Sequence, residues 1–469
     1  MSRKRPATPQ TDRGLDEVES LFAQGSHALQ AGDPHAAAKC FQQVIQLFPD
    51  LAEAHGNLGV AREAQGDRSG AERAYRQALR LDPEHLQMQL NLGALLVLQK
   101  RFEEAATLYG TLIHQHPEAP SAWCNLGVLH TCRQEEELAE RCFRTALDLD
   151  ATYAKARFNL SYLLLRQGRM LEGWPALEAR PWSLDLDAKI PAPRWRGEPL
   201  AGQSLLIGCE GGYGDWLQFV RYVPILKAMG AGRIGIVCQP TLTRLFTGMP
   251  ELDAVVAVGD VVPPGWDLWT LPLSLPHLCQ SRVESLPASI PYLHATTEDI
   301  AAWRARLPDA RLRIGLAWKG NPAFENDADR SLSSLTALAP LALVEGIQWV
   351  SLQMDRGQEE LAQVPAGMRI FDPSPWIRDF ADTAALMSHL DLVLSVDTAA
   401  AHLAGALGRP CWVLLPHYKT DWRWFRGRED SPWYPRSMRL FRQAQASDWR
   451  PVIEAVALAL QSFEPQRQL

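Results

Sequence analysis

Two kinds of hydrophobic spacing divide this chain. Up to about residue 180 the apolar positions follow a helical period, and that pattern itself recurs every 34 residues. Gly25, Gly59, Gly93, Gly127 and Ser161 form one series, and Ala37, Ala71, Ala105 and Ala139 a second. Phe41, Tyr75, Tyr109 and Phe143 form a third, while Pro49, Pro83 and Pro117 close three of the units and Ala151 takes that place in the fourth. Small residues let two helices approach, an aromatic ring fills the gap beside them, and proline stops the second helix. The spacing therefore predicts helical hairpins beginning near Glu17, Leu51, His85, Ala119 and Tyr153, the last with Gly173 of Gly173-Trp174-Pro175 in the small-residue position.

From about Trp195 short apolar runs replace this period. Ser204 to Cys209, Arg233 to Cys238 and Ala254 to Val258 form one series; Arg313 to Trp318, Gln348 to Gln353, Met368 to Phe371, Leu390 to Val396 and Cys411 to Leu415 form another. Strands alternating with helices imply parallel sheets, and two series imply two Rossmann-like lobes. The expected organisation is a disordered tail over 1–16, repeats over 17–180, a first lobe over 195–300 and a second over 310–465. The fold class is α plus α/β.

The 469 residues are too many for one ordinary core, which agrees with several domains. With 46% hydrophobic and 22% charged residues the composition is that of a soluble globular protein, and the net charge of −7 argues against general nucleic-acid binding. Eight scattered cysteines form no C-x-x-C pair, which fits neither a zinc site nor a disulfide framework and suggests a reducing, cytoplasmic setting. No apolar run approaches the roughly 18 residues of a membrane span. Sixteen tryptophans, many beside charged residues in expected loops, favour a groove-forming protein.

Two strand-to-helix turns carry the candidate chemistry. Leu392 to Val396 stops at Asp397-Thr398 and a small-residue helix follows from Ala399 past His402. Such a helix start leaves N–H groups free for an anion, commonly a phosphate. In the first lobe Gly208-Cys209-Glu210-Gly211-Gly212-Tyr213-Gly214-Asp215 forms a glycine-rich turn, where Gly212 and Gly214 permit close approach of a substrate. Asp215 is either a first-turn acid stabilising its helix or a functional carboxylate, and Glu210 is either a second carboxylate or an anchor for the turn. His402 is either a satisfied helix histidine or a ligand contact. Lys319 and Arg330 are loop cations or a positive charge for the site, with Asn321 nearby; Arg423, in Trp422-Arg423-Trp424, stays open.

The helical period is that of the tetratricopeptide repeat, an array whose curved surface commonly takes a peptide. The two turns together resemble glycosyltransferase family 9, the heptosyltransferase-like enzymes, through Glu210-x-Gly212-x-Gly214-Asp215 and Ser395-Val396-Asp397-Thr398-x-x-x-His402. Trp195-x-Gly197-Glu198, Trp318-Lys319-Gly320-Asn321-Pro322, Asp379-Phe380-Ala381-Asp382-Thr383 and Asp421-Trp422-Arg423-Trp424 extend the likeness, and the whole chain is similar to bacterial proteins that fuse such repeats to that domain. The resemblance implies a GT-B fold and inverting, metal-independent transfer from a nucleotide sugar, which is a substrate, so no cofactor is expected. It implies that Asp215 is the base on the acceptor, and that Asp397, Thr398, Ala399 and His402 grip the donor diphosphate. Gly211 and Tyr213 depart from the pattern of the repeat-fused relatives, which bears on acceptor choice.

The expected function is thus transfer of a sugar to a protein or glycan acceptor recruited through the repeats. A repeat scaffold with an inactive transferase domain and a nucleotide-sugar epimerase are the alternatives. Sugar, nucleotide and acceptor identity are not encoded in these motifs.

Overall fold

The computed structural model describes residues 10–184, 190 and 192–464. Ten helices follow the repeat spacing: α1 (Gln10–Gln30) and α2 (Pro34–Leu47), α3 (Ala52–Ala64) and α4 (Arg68–Leu81), α5 (Leu86–Leu98) and α6 (Phe102–Gln115), α7 (Pro120–Cys132) and α8 (Glu136–Leu149), and α9 (Ala154–Arg166) and α10 (Met170–Leu177). The glycine and aromatic series meet within the first four hairpins. A Cβ would lie 2.5 Å from the Tyr75 ring at Gly59, 2.3 Å from Tyr109 at Gly93 and 2.6 Å from Phe143 at Gly127. These rings are buried, and at those glycines the close approach leaves no room for a side chain on the first helix.

Residues 1–9 of the expected tail lie outside the described residues, and α1 already runs from Gln10, inside that tail. Val18 and the half-buried Phe22 pack against α2 and α3 and carry the helix back towards its start.

The chain forms two compact units, Met1–Asn159 and Leu160–Leu469, so the division falls within α9. The expected fifth repeat is thereby split, and α10 belongs to the second unit. Its Trp174 ring meets the Trp422 ring edge-on at 5.3 Å, and its indole N–H donates to the Ser281 carbonyl at 2.9 Å. A tryptophan buries much apolar surface but still needs a partner for its N–H, and this helix finds both on the lobes.

The second unit holds two parallel sheets. The first contains β1 (Ser204–Ile207), β2 (Arg233–Cys238), β3 (Ala254–Ala257) and β4 (Leu268–Thr270) in the order β3-β2-β1-β4. The second contains β5 (Leu312–Ala317), β6 (Ile347–Ser351), β7 (Ile370–Phe371), β8 (Leu392–Val396), β9 (Cys411–Leu415) and β10 (Met438–Arg442) in the order β10-β9-β8-β5-β6-β7. All pairings between these strands are parallel. The strand order reverses between β1 and β4 and between β5 and β8, and ligands of open α/β sheets bind at the carboxyl ends beside such a reversal. Both turns singled out above leave from those ends. Neither β4 nor β10 is marked by the apolar spacing: β4 has three residues, and β10 carries Arg439 and Arg442.

The lobes are joined around the buried Arg221. Its guanidinium donates to the carbonyls of Gln218 (2.8 Å), Pro287 (3.0 Å) and Trp433 (2.6 Å) and to the Tyr292 hydroxyl (2.8 Å). The Tyr434 and Tyr292 rings lie 4.5 and 4.6 Å from Cζ. One side chain of the first lobe thus fastens the connecting segment and the second lobe. Ten of the sixteen tryptophans are among the largest fully buried side chains, so most serve packing and do not line a groove.

Two helix-interior alanine substitutions separate hairpin packing from helix propensity. Gly110→Ala, where a Cβ meets nothing within 4 Å, should gain up to about 1 kcal/mol. Gly93→Ala, whose Cβ collides with Tyr109, should lose about 1–3 kcal/mol by overpacking. Urea unfolding followed by circular dichroism gives both; equal gains would refute the close-approach account.

Candidate active site

The first turn leaves β1 at Gly208, whose N–H donates to the Thr270 carbonyl of β4 at 2.8 Å. Gly211 takes a φ of +71°, which only glycine adopts without strain, and a Cβ there would also strike the Asp215 carboxylate at 2.5 Å. Helix α11 (Tyr213–Phe219) follows. Asp215 reaches back so that its Oδ2 accepts the Gly212 N–H at 2.7 Å, while its Oδ1 is held by Arg423 of the second lobe. Its side chain is 23% exposed. The carboxylate therefore stabilises its own helix while part of it stays exposed, so the two readings of Asp215 do not exclude each other.

Glu210 behaves differently. It is buried, and Arg180 grips it with two bonds of 2.8 and 2.9 Å. The Trp182 indole and the Leu273 backbone N–H donate to the same carboxylate at 3.1 and 2.9 Å. Four donors occupy both oxygens, which removes Glu210 from the catalytic pair and makes it the anchor that joins the ends of β1 and β4 to Arg180. Arg180, just beyond α10, has no local sequence signal for this role.

Across the cleft, β8 ends at Val396 and Thr398 opens helix α12 (Ala399–Ala406). The Thr398 hydroxyl turns to Ser395 at 3.0 Å, and among the described residues no side chain caps the first N–H groups of α12. The two turns meet: a Cβ on Gly214 would stand 2.9 Å from His402 Cδ2 and 3.8 Å from Ala399 Cα. This explains Gly214 by helix-to-helix approach. It also corrects the placement of His402, which is 5% exposed. Its Nδ1 lies 2.9 Å from the Tyr434 hydroxyl and its ring stacks on Trp424 at 5.2 Å. Burial first, then Arg423, Arg221 and Arg330, hold its pKa well below the usual histidine value. A neutral, enclosed imidazole packs the two lobes and does not offer a charge to a diphosphate.

Asp397 sits beside this contact with its pKa raised to about 6, chiefly by burial and next by the charge of Asp421. Arg330, Trp424 and Arg423 oppose that rise. Arg330, the first of these, is held by Asp327 at 3.2 Å, lies 4.3 Å from the Phe324 ring, and would meet a Cβ on Gly320 at 2.6 Å. Lys319 is instead committed to Glu360, which also accepts from the Trp318 indole at 3.0 Å. In this structure it therefore ties the loop to Glu360. Asn321 is exposed, and its side chain accepts the Ala323 N–H at 2.9 Å as a turn residue.

Tetratricopeptide repeat models match residues 22–67, 61–120 and 99–136, and the glycosyltransferase family 9 (heptosyltransferase) model matches 347–415. The latter range contains Asp397, Thr398, Ala399 and His402; Asp215, Lys319, Arg330 and Arg423 lie outside it. Protein FlbA of Caulobacter vibrioides is 31% identical over 337 residues, covering 66% of this chain and 55% of FlbA. The chain thus spans about half of that relative. Mouse tetratricopeptide repeat protein 36 is 44% identical over 52 residues, 11% of this chain and 28% of that protein. Among solved structures, PilF of Pseudomonas aeruginosa aligns with a TM-score of 0.36 at 18% identity, covering 51% of this chain and 96% of PilF. Among the described residues no helix is long and apolar enough to cross a membrane.

The raised pKa of Asp397 has a measurable consequence. Between its ordinary value of 3.8 and about 6 the folded state keeps a proton that the unfolded chain has lost. Stability attributable to this group thus falls as pH rises through that window. Asp397→Asn should gain stability over wild type above about pH 6, by at most about 3 kcal/mol, and this advantage should vanish near pH 4. Thermal unfolding of both proteins across this range tests it; a pH-independent difference would place Asp397 in water.

Proposed function

Since this chain joins tetratricopeptide repeats to a glycosyltransferase family 9 domain, we propose that it transfers a sugar from a nucleotide sugar to a protein or glycan acceptor held by the repeats. The reading rests on one observation above all. The contact of Gly214 with Ala399 and His402 brings the turn carrying Asp215 against the uncapped start of α12.

In this reading the donor diphosphate lies at the start of α12, where helix N–H groups and the Arg330 guanidinium supply positive potential as charge develops on the leaving group. No metal is needed for that stabilisation. Asp397 is ill suited to face a diphosphate as an anion. Its place beside the helix start suits a sugar hydroxyl, to which a carboxyl can donate or accept. Asp215 takes the proton of the acceptor hydroxyl as its oxygen bonds to the anomeric carbon. The bond from that carbon to the diphosphate breaks, its electron pair stays on the phosphate oxygen, and the nucleoside diphosphate leaves. Attack opposite the leaving group inverts the anomeric centre.

A screen of ADP-, GDP-, UDP-, CDP- and dTDP-sugars for raised melting temperature identifies the donor, because a ligand that binds only the folded state stabilises it. Asp215→Asn should then lower turnover about 10²–10⁴-fold with donor affinity retained. Arg330→Gln should weaken the matching nucleoside diphosphate about tenfold or more, as expected for losing a charge-assisted bond. Turnover at the wild-type rate in Asp215→Asn refutes the base assignment. Neither binding nor turnover with any donor would favour the repeat-scaffold reading.

A further inference from the structure

Arg423 belongs to the second lobe, yet two of its partners are on the first. Its side chain is 8% exposed. Nε donates to Gln218 Oε1 at 2.6 Å, Nη1 to the Asp421 oxygens at 3.1 and 3.2 Å, and Nη2 to Asp215 Oδ1. The Trp422 and Phe219 rings lie 4.3 and 5.5 Å from its Cζ. Each guanidinium nitrogen thus already donates to a protein group, and aromatic rings lie beside the cation. Asp421 in turn accepts the Arg423 backbone N–H at 2.9 Å, which fixes the loop from which the arginine reaches. The charge of Asp421 also acts on Asp397. Arg423 therefore stands between two carboxylates, Asp421 of its own loop and Asp215 of the first lobe.

We propose that Arg423 is a positioning residue that orients Asp215 from the opposite lobe, so that the base is assembled only in the lobe arrangement that also forms the donor site. This rests on the assignment of Asp215 as the base. Without Arg423 the carboxylate keeps one fixed contact, the Gly212 N–H at 2.7 Å, and can turn about its side-chain bonds. A displacement of about 1 Å in a reacting group can cost on the order of 10²-fold in rate. Binding of the donor diphosphate at α12 does not draw on Arg423, so the loss should fall on turnover.

The test uses the full chain and the nucleotide sugar that gives the largest thermal shift, with release of its nucleoside diphosphate as the readout. Arg423→Ala should reduce turnover about 10–100-fold with the donor KM nearly unchanged. Millimolar guanidinium should restore part of the loss in Arg423→Ala and none in Asp215→Asn, because only the former retains the carboxylate. Arg423→Lys should be intermediate, since an ammonium cannot span Asp215, Gln218 and Asp421 together. Wild-type turnover in Arg423→Ala overturns the proposal, as does a loss that guanidinium leaves untouched in folded protein. A wild-type protein without turnover, or an active Asp215→Asn, overturns the base assignment and this proposal with it. Loss in Asp215→Asn without loss in Arg423→Ala overturns the proposal alone.

Discussion

The second unit depends on one buried cation. Arg221 is held by three carbonyl oxygens and a phenol, contributed by its own lobe, the connecting segment and the opposite lobe. A guanidinium withdrawn from water must have its N–H groups satisfied, and here that requirement is met only when the three segments are together. Its neighbour Tyr434 meets His402, and His402 faces Gly214. The approach of the two turns is thus linked, through Tyr434 and His402, to the solvation of a charge that belongs to neither turn.

Around that frame three carboxyl groups of similar sequence context acquire different properties. Glu210 is saturated by four donors and serves as an anchor. Asp215 is shared between its own helix and an arginine from the other lobe, and part of it remains open to the cleft. Asp397 is half-buried near another acid, and its pKa is raised to about 6. Each outcome is set by the donors that surround the group, since the intrinsic acidities of Asp and Glu differ little. The cations divide similarly: Arg330 stays beside the donor turn, Lys319 is spent on Glu360, and Arg423 links the lobes.

The repeats and the two turns were legible because each is a local pattern. A glycine placed 16 residues before an aromatic reads as a close helix contact, as Gly59 and Tyr75 show. A buried apolar strand ending in Asp397-Thr398 reads as a strand-to-helix turn. By contrast β4 and β10 escaped notice, because three residues or interspersed arginines leave too little periodic signal. Arg180, Arg221 and Tyr434 have no motif at all; their roles arise from partners distant in the chain, such as the bond from Arg221 to Trp433.

The repeat architecture, the change to parallel α/β lobes and the two strand-to-helix turns can all be read from residue order. Short-range spacing dictates all three through helix and strand periodicity. The partners of the polar residues at those turns come from the folded chain. His402 became packing, Glu210 an anchor and Lys319 a loop tie, while Arg423 was brought across the cleft to Asp215. The reason is physical: a charged side chain is defined by whichever groups satisfy it, and in this protein those groups come from the other lobe or from segments far along the chain.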